Sequence, residues 1–301
     1  MITLLTGENS FEIERYLSKI TADFNGLVEK IDSNDLQIAQ LPDILMGSSL
    51  FSTERLVVIR NLSENKTVWP VLGEWLSRVS SDVHLVLIEP KPDKRTTTFK
   101  SLKNIASLKE FKLWSERDIS AAEKWLNVEA YALGFELNKK NIQLILRRVG
   151  LDQWRLFSAL EKLALAGDIS DKIIEDLIEA SPTENVFNLL EVTLRGDRAE
   201  LKKMLDILEQ TEDVYQLFAL LSSQVFQLLV VAVSGIDDDI VHDFGIHPFA
   251  LSRIKNMSRQ LDRAKIAAII TIFADTDDDM KKSRAEPWLL VERALLKVAN
   301  L

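Results

Sequence analysis

The sequence predicts an α/β domain built on a parallel sheet, followed by an all-helical remainder. Three observations carry that prediction. Short apolar and β-branched runs alternate with helix-like stretches through the first third of the chain. The run Val83-His84-Leu85-Val86-Leu87-Ile88 is almost wholly apolar, as a strand covered on both faces is. After Trp114 the strand signal stops, and apolar residues recur at helical spacing.

The elements are expected in the following order. Strand-like runs are Ile2–Leu5, Leu27–Ile31, Leu56–Leu62, Val83–Ile88 and Glu110–Trp114. Helix-like runs lie between them at Ser10–Ile20, Asp35–Leu45, Val68–Val79 and Thr97–Leu108. Strand and helix alternating in this way require crossover connections, and crossovers make a parallel sheet. From Asp118 the pattern changes period. Ile142, Ile145, Leu146 and Val149 share a helical face, as do Leu156, Leu160 and Leu163, with Gly150 and Gly167 as punctuation. This predicts a small helical domain from about Asp118 to Ala180. Ser181-Pro182-Thr183 reads as a linker, because proline ends a preceding helix. A second helical block then runs to Leu301. The expected divisions are 1–117, 118–181 and 182–301.

Composition narrows the function classes. The chain has 301 residues and no cysteine, so disulfides, thiol nucleophiles and cysteine-ligated zinc are excluded, and a reducing, cytoplasmic setting fits. Its start, Met1-Ile2-Thr3-Leu4-Leu5-Thr6-Gly7, lacks the basic region and cleavage site of a signal peptide. The formal net charge is −9, whereas a free-standing DNA binder carries a basic surplus to neutralise phosphates. Any nucleic-acid contact is therefore local or shared with partners. No charge interrupts Val214 to Ile236, a length that mimics a membrane span. Gln216, Ser223, Gln224 and Gln227 break its apolarity and three aspartates follow it, so a central helix of the helical block is the better reading.

Motifs for chemistry are scarce. The first strand leads through Thr6-Gly7-Glu8-Asn9-Ser10 into a helix, where a phosphate-binding loop would sit in this architecture. There is no G-x-x-x-x-G-K-[ST], and Glu8 places an acid where a phosphate would lie. Asn9 or Ser10 capping the helix accounts for the segment. Asp275 to Glu286 places acids where a calcium loop needs them, but Met280 occupies the obligatory glycine position and lysines intrude, so solvated helix-end acids fit better. His84, His242 and His247 have no metal-ligand spacing. Two basic runs, one with Lys94 and Arg95 and one with Arg253, Lys255 and Arg259, are either solvated surface or phosphate contacts. Ser48-Ser49-Leu50-Phe51 sets a leucine and an aromatic at a short polar turn before a strong strand. Such a pair either seals the edge of a local core or plugs an apolar pocket on a partner.

Taken in order, Thr6-Gly7-Glu8, then Ser49-Leu50-Phe51-Ser52-x-x-Arg55-Leu56-Val57-Val58-Ile59, Pro92-Asp93-Lys94-Arg95, Leu160-Glu161-Lys162-Leu163 and Asn185-Val186-Phe187 resemble the delta-subunit family of the bacterial DNA polymerase III clamp loader. His247-Pro248-Phe249 and Leu290-x-Glu292-x-x-Leu295-Leu296 extend the likeness over essentially the whole chain. The resemblance implies an AAA+-like parallel-sheet domain without a P-loop, a small helical lid domain and a C-terminal helical collar domain. It implies no cofactor, no metal and no active site in this chain, ATPase activity residing in partner subunits of the polymerase holoenzyme. The implied partners are the sliding clamp (beta), the gamma/tau and delta prime subunits, and primed DNA within the complex, with no membrane. The implied clamp-binding element is Leu50 and Phe51, with Ser48, Ser49 and Met46 beside them. Ser48 is smaller than the apolar residue expected there, and Met46 is positioned to compensate. Lys94, Arg95, Arg253, Lys255 and Arg259 are the candidates for DNA contact.

Overall fold

A computed structural model describes residues 1–301 apart from 35, 48–53, 168, 235–242, 245, 247 and 260, and apart from the side chains of 116, 248, 249 and 252. The described residues form two compact units, Met1–Ser115 and Glu116–Leu301.

The first unit is a parallel sheet of β1 (Ile2–Thr6), β2 (Leu27–Asp32), β3 (Arg55–Arg60), β4 (Val83–Glu89) and β5 (Ser107–Glu110), in the order β2-β3-β4-β1-β5. β4 pairs with β1 through Leu4↔Leu87 and with β3 through Val58↔Val86. Successive side chains point to opposite faces, so each face collects alternate residues. Leu4, Val57, Ile59, Leu85 and Leu87 pack under α2 (Leu41–Met46), α3 (Trp69–Trp75) and α4 (Thr97–Ile105). Leu5, Leu56, Val58, Val86 and Ile88 pack against Ile13 and Leu17 of α1 (Ser10–Ala22). Burial on both faces explains the apolar run Leu85–Ile88 of β4.

Several boundaries differ from expectation. β5 is Ser107–Glu110, whereas Glu110–Trp114 is predicted. Its four residues are exposed, and all but Leu108 are polar, because it is an edge strand, held by the register Thr3↔Ser107 to Thr6↔Glu110. That register also ends α4 at Ile105, short of Leu108. The helix predicted at Asp35–Leu45 is a 3-10 turn, Ile38–Gln40, then α2, because Pro42 fits only the first turn of a helix. The helix predicted at Val68–Val79 is α3 followed by a 3-10 turn, Leu76–Arg78.

The second unit is helical: α5 (Ile119–Ala132), α6 (Lys139–Val149), α7 (Gln153–Ala166), α8 (Asp171–Leu177), α9 (Pro182–Leu194), α10 (Arg198–Thr211), α11 (Val214–Ser234), α12 (Pro248–Ser258), α13 (Arg263–Lys281) and α14 (Pro287–Val298). α6 buries Ile142, Ile145, Leu146 and Val149, and α7 buries Leu156, Leu160 and Leu163, as the periodicity requires. Ser181-Pro182-Thr183 is a helix start rather than a linker. The Ser181 hydroxyl accepts from the Glu184 N–H, and Pro182 takes the first helical position, where its missing N–H costs nothing. α11 is long and apolar enough to cross a membrane by composition, yet it forms the centre of a core with α9, α12 and α14. Gln224 faces inward and donates to the Thr183 carbonyl at 3.1 Å, while Tyr215, Phe226 and Val233 stand out of the core.

Candidate partner-binding site

The predicted tip residues Ser48, Ser49, Leu50 and Phe51 lie outside the described residues. The structure on either side of them is described in full. α2 ends at Met46, which is 48% exposed. Gly47 then turns out of the helix while its N–H donates to the Asp43 carbonyl at 3.2 Å. A Cβ on Gly47 would lie 2.3 Å from that carbonyl oxygen, so the chain leaves the helix closely only with glycine here. On the far side, the Leu27 N–H donates to the Glu54 carbonyl at 3.1 Å, and a Cβ on Gly26 would lie 2.4 Å from the same oxygen.

Arg55 joins the two sides. Its Nε donates to Glu29 Oε1 at 2.9 Å and its Nη2 to Glu29 Oε2 at 3.0 Å, a forked pair between β3 and β2. Its Nη1 donates to the carbonyl of Asp43 at 3.2 Å and to that of Gly47. The side chain is only 8% exposed. The Glu29 hydrogen bonds hold its pKa above the ordinary arginine value against the opposing effect of burial. Arg55 belongs to the run quoted from the sequence, but its partners lie on other elements, and spacing alone gives no sign of them.

The turn after β1 is closed by the protein's own backbone. Gly7 has φ +102, and a Cβ there would meet the Phe111 carbonyl oxygen at 1.9 Å. Gly7 N–H donates to Pro90 O at 3.1 Å, Asn9 N–H to Phe111 O at 3.1 Å and Ser10 N–H to Glu8 O at 3.0 Å. A phosphate loop works by leaving such amides free to converge on the ligand. Asn9 caps α1, accepting from Glu12 N–H at 3.2 Å, and donates to Lys112 O. The adjacent cleft of about 410 Å³ is of mixed charge, lined by Glu8, Glu110, Lys91, Lys94 and Lys112.

The basic candidates separate. Lys94 and Arg95 are 64% and 89% exposed and lie beside Glu110 and Asp93 respectively. The hydrogen bonds from Arg95 lower the Asp93 carboxyl to about 2. Lys255 on α12 and Arg259 just beyond its end are exposed. Arg253 is not a surface cation, which corrects its reading as a DNA contact. Its five N–H donors serve Glu191, Glu184 and Asn188 at 2.7–3.1 Å, and its guanidinium lies over the Phe187 ring. Burial opposes its charge, but Glu191 and Glu184 outweigh that and raise its pKa. It ties α12 to α9.

Other titratable groups are built into the fold. Glu89 at the end of β4 is fully buried, and its carboxylate accepts from Leu62 N–H at 2.7 Å and Ser63 N–H at 3.1 Å. Burial pushes its pKa up, partly offset by those hydrogen bonds. His84 is hydrogen-bonded to the Thr3 hydroxyl at 2.9 Å, with its pKa lowered by burial, while His242 and His247 lie outside the described residues. Asp275–Met280 lies within α13, so no calcium-type loop exists there, and Asp277 and Asp278 pair with Lys281 and Lys282 one turn on.

Comparison with known proteins gives a consistent result. The family model described as "DNA polymerase III, delta subunit" matches residues 4–112, and that described as "DNA polymerase III delta subunit, C-terminal domain" matches residues 183–298. The DNA polymerase III subunit delta of Bacillus subtilis is 24% identical over 98% of this chain and 91% of its own length. The solved DNA clamp loader delta protein of Bacillus subtilis superposes with a TM-score of 0.57 at 19% identity, covering 100% of this chain and 95% of that one. It shares the fold, a parallel-sheet unit followed by helices.

Proposed function

Because the chain belongs to the DNA polymerase III delta-subunit family, the clamp-loader subunit, we propose that it binds the sliding clamp through Leu50 and Phe51 and favours the open ring during loading onto primed DNA. The observation that carries this reading is the family match at both ends of one chain, covering 4–112 and 183–298. The tip pair, supported by Ser48, Ser49 and Met46, enters an apolar pocket on the clamp. Opening follows if the bound subunit fits the open ring better than the closed one, which is a shift of populations and needs no bond chemistry in this chain. Nucleotide chemistry then belongs to the gamma/tau motor subunits, which with delta prime complete the complex. Residues 118–181 act as the lid and 182–301 as the collar, with α11 at the collar's centre. Lys94, Arg95, Lys255 and Arg259 are the remaining candidates for DNA contact. The setting is cytoplasmic.

The test is direct binding of the isolated chain to the sliding clamp, wild type beside Leu50→Ala/Phe51→Ala. Losing two such anchors costs roughly 2–4 kcal/mol, a loss of tens- to hundreds-fold in affinity. Equal binding by the two proteins overturns the site. A divergent nucleotide hydrolase is the rival reading. The backbone-closed turn after β1 argues against it, and calorimetric titration with ATP and magnesium is expected to give no saturable heat. Stoichiometric binding would favour the rival.

A further inference from the structure

We propose that the cavity lined by α6, α7, α9, α11 and α12 is a binding site for a small organic anion, an apolar body carrying a carboxylate or phosphate head. The cavity holds about 410 Å³, within the roughly 300–1,000 Å³ of small-molecule sites. It lies where the last turn of α6 meets the start of α9. There the Ser181 N–H donates to the Arg148 carbonyl at 2.6 Å, and the Arg148 guanidinium donates to the carbonyls of Ile178 at 2.7 Å and Glu175 at 2.9 Å. The wall is apolar, formed by Leu146, Val149, Phe187, Leu220 and Ala250. One polar corner is already satisfied: both oxygens of Glu184 accept from Arg253 Nη1, at 3.0 and 2.9 Å.

The more exposed polar groups of the lining are not satisfied. Arg147 meets Glu184 through Nε at 3.2 Å, and no described group takes its two terminal nitrogens. The Arg155 side chain has no ion-pair or hydrogen-bond partner among the described residues, nor do the Thr183 hydroxyl and the Gln216 amide. Three guanidiniums and one carboxylate thus line this cavity, in a chain whose net charge is −9. A structural arginine is paired, as Arg148 and Arg253 are; Arg147 and Arg155 keep planar forks that match the oxygens of a carboxylate or phosphate. The head therefore belongs to these two arginines and the body to the apolar wall. A bare inorganic anion would leave the wall wet, and a neutral body would leave the forks unused. The bound molecule would touch α6 and α7 on one side and α9, α11 and α12 on the other, the groups that the Arg147–Glu184 pair and the Arg148 contacts join.

The experiment titrates the full chain by calorimetry with naphthoate, naphthyl phosphate and octanoate, beside neutral naphthamide and acetate, and records circular dichroism melts of each variant. At least one of the three amphipathic anions is expected to bind saturably below about 1 mM, with naphthamide and acetate at least about tenfold weaker. The tighter of naphthoate and naphthyl phosphate identifies the head. Arg155 stands in the first turn of α7, where an acid suits the helix, so Arg155→Glu is expected to melt like wild type and to weaken the anion at least about tenfold. Lys162→Glu, farther along α7 and outside the cavity, is expected to leave binding unchanged. If Arg155→Glu melts early, Arg155→Gln carries the same prediction. No saturable binding of any of the three anions by about 1 mM overturns the proposal, as does naphthamide binding as tightly as naphthoate. Binding that survives both Arg155 variants places the ligand elsewhere and overturns it. An equal loss in Lys162→Glu makes the effect one of general charge and overturns it too.

Discussion

Two arginines show what residue-level reading reaches. Arg253 and Lys255 look alike in a basic run, yet Arg253 stands three residues after Ala250 and four before Met257, both buried, so helical spacing puts it on the inward face. That signal was in the sequence. The carboxylates that receive it, Glu184 and Glu191, lie on α9, and no local pattern reveals them. Arg253→Ala leaves the buried Glu184 with Arg147 as its remaining salt-bridge partner and is expected to cost about 1–3 kcal/mol in a denaturant titration. Lys255→Ala should stay within roughly 0.5 kcal/mol of wild type, and a loss as large as that of Arg253→Ala would contradict the assignment. Glu89 gives a prediction with a sign. Its folded pKa is raised above the ordinary 4.5, so its contribution to stability is full below that value and declines as pH rises through the raised one. The stability of wild type relative to Glu89→Gln should therefore fall as pH rises from about 4.5 toward neutrality. A difference that grows with pH would contradict it.

At the scale of elements, types were legible and ends were not. The buried strands β1, β3 and β4 declared themselves because burial on both faces leaves no room for polar residues. β5 was displaced in the reading because an edge strand of Ser-Leu-Lys-Glu has no apolar signature, while Phe111, Leu113 and Trp114 just beyond it do. Proline marks a helix start in both places: α8 ends at Leu177 and Pro182 is the first residue of α9, while Pro42 stands in the first turn of α2, where its chemistry allows it. In the turn after β1 the sequence shows only that the phosphate-loop lysine is missing. The structure adds that Phe111 fills the place where the turn would have to open. Gly7→Ala is expected to destabilise the first unit by at least about 1–3 kcal/mol in thermal melts, through both the positive φ and the contact with Phe111 O. A melt unchanged from wild type would show that the turn has slack.

At the scale of the molecule, the parallel-sheet unit followed by helices was legible because the hydrophobic period changes near Trp114, and the division of the chain into two compact units falls between Ser115 and Glu116. Of the proposed site, the sequence offers the pair Leu50 and Phe51, which lies outside the described residues. The contacts of Arg55 with β2 and α2 are not legible in it, because they join residues that sequence order scatters from 29 to 55. The strand order β2-β3-β4-β1-β5 has a consequence in time. β1 is the first strand to be synthesised, and both of its neighbours, β4 and β5, are the last of the sheet. On the ribosome the N-terminal strand must wait, unpaired, until residues 83–110 have emerged. Loop closure over such separations is slow, so β1 should be the last strand to find its place in the sheet although it comes before the others in the chain.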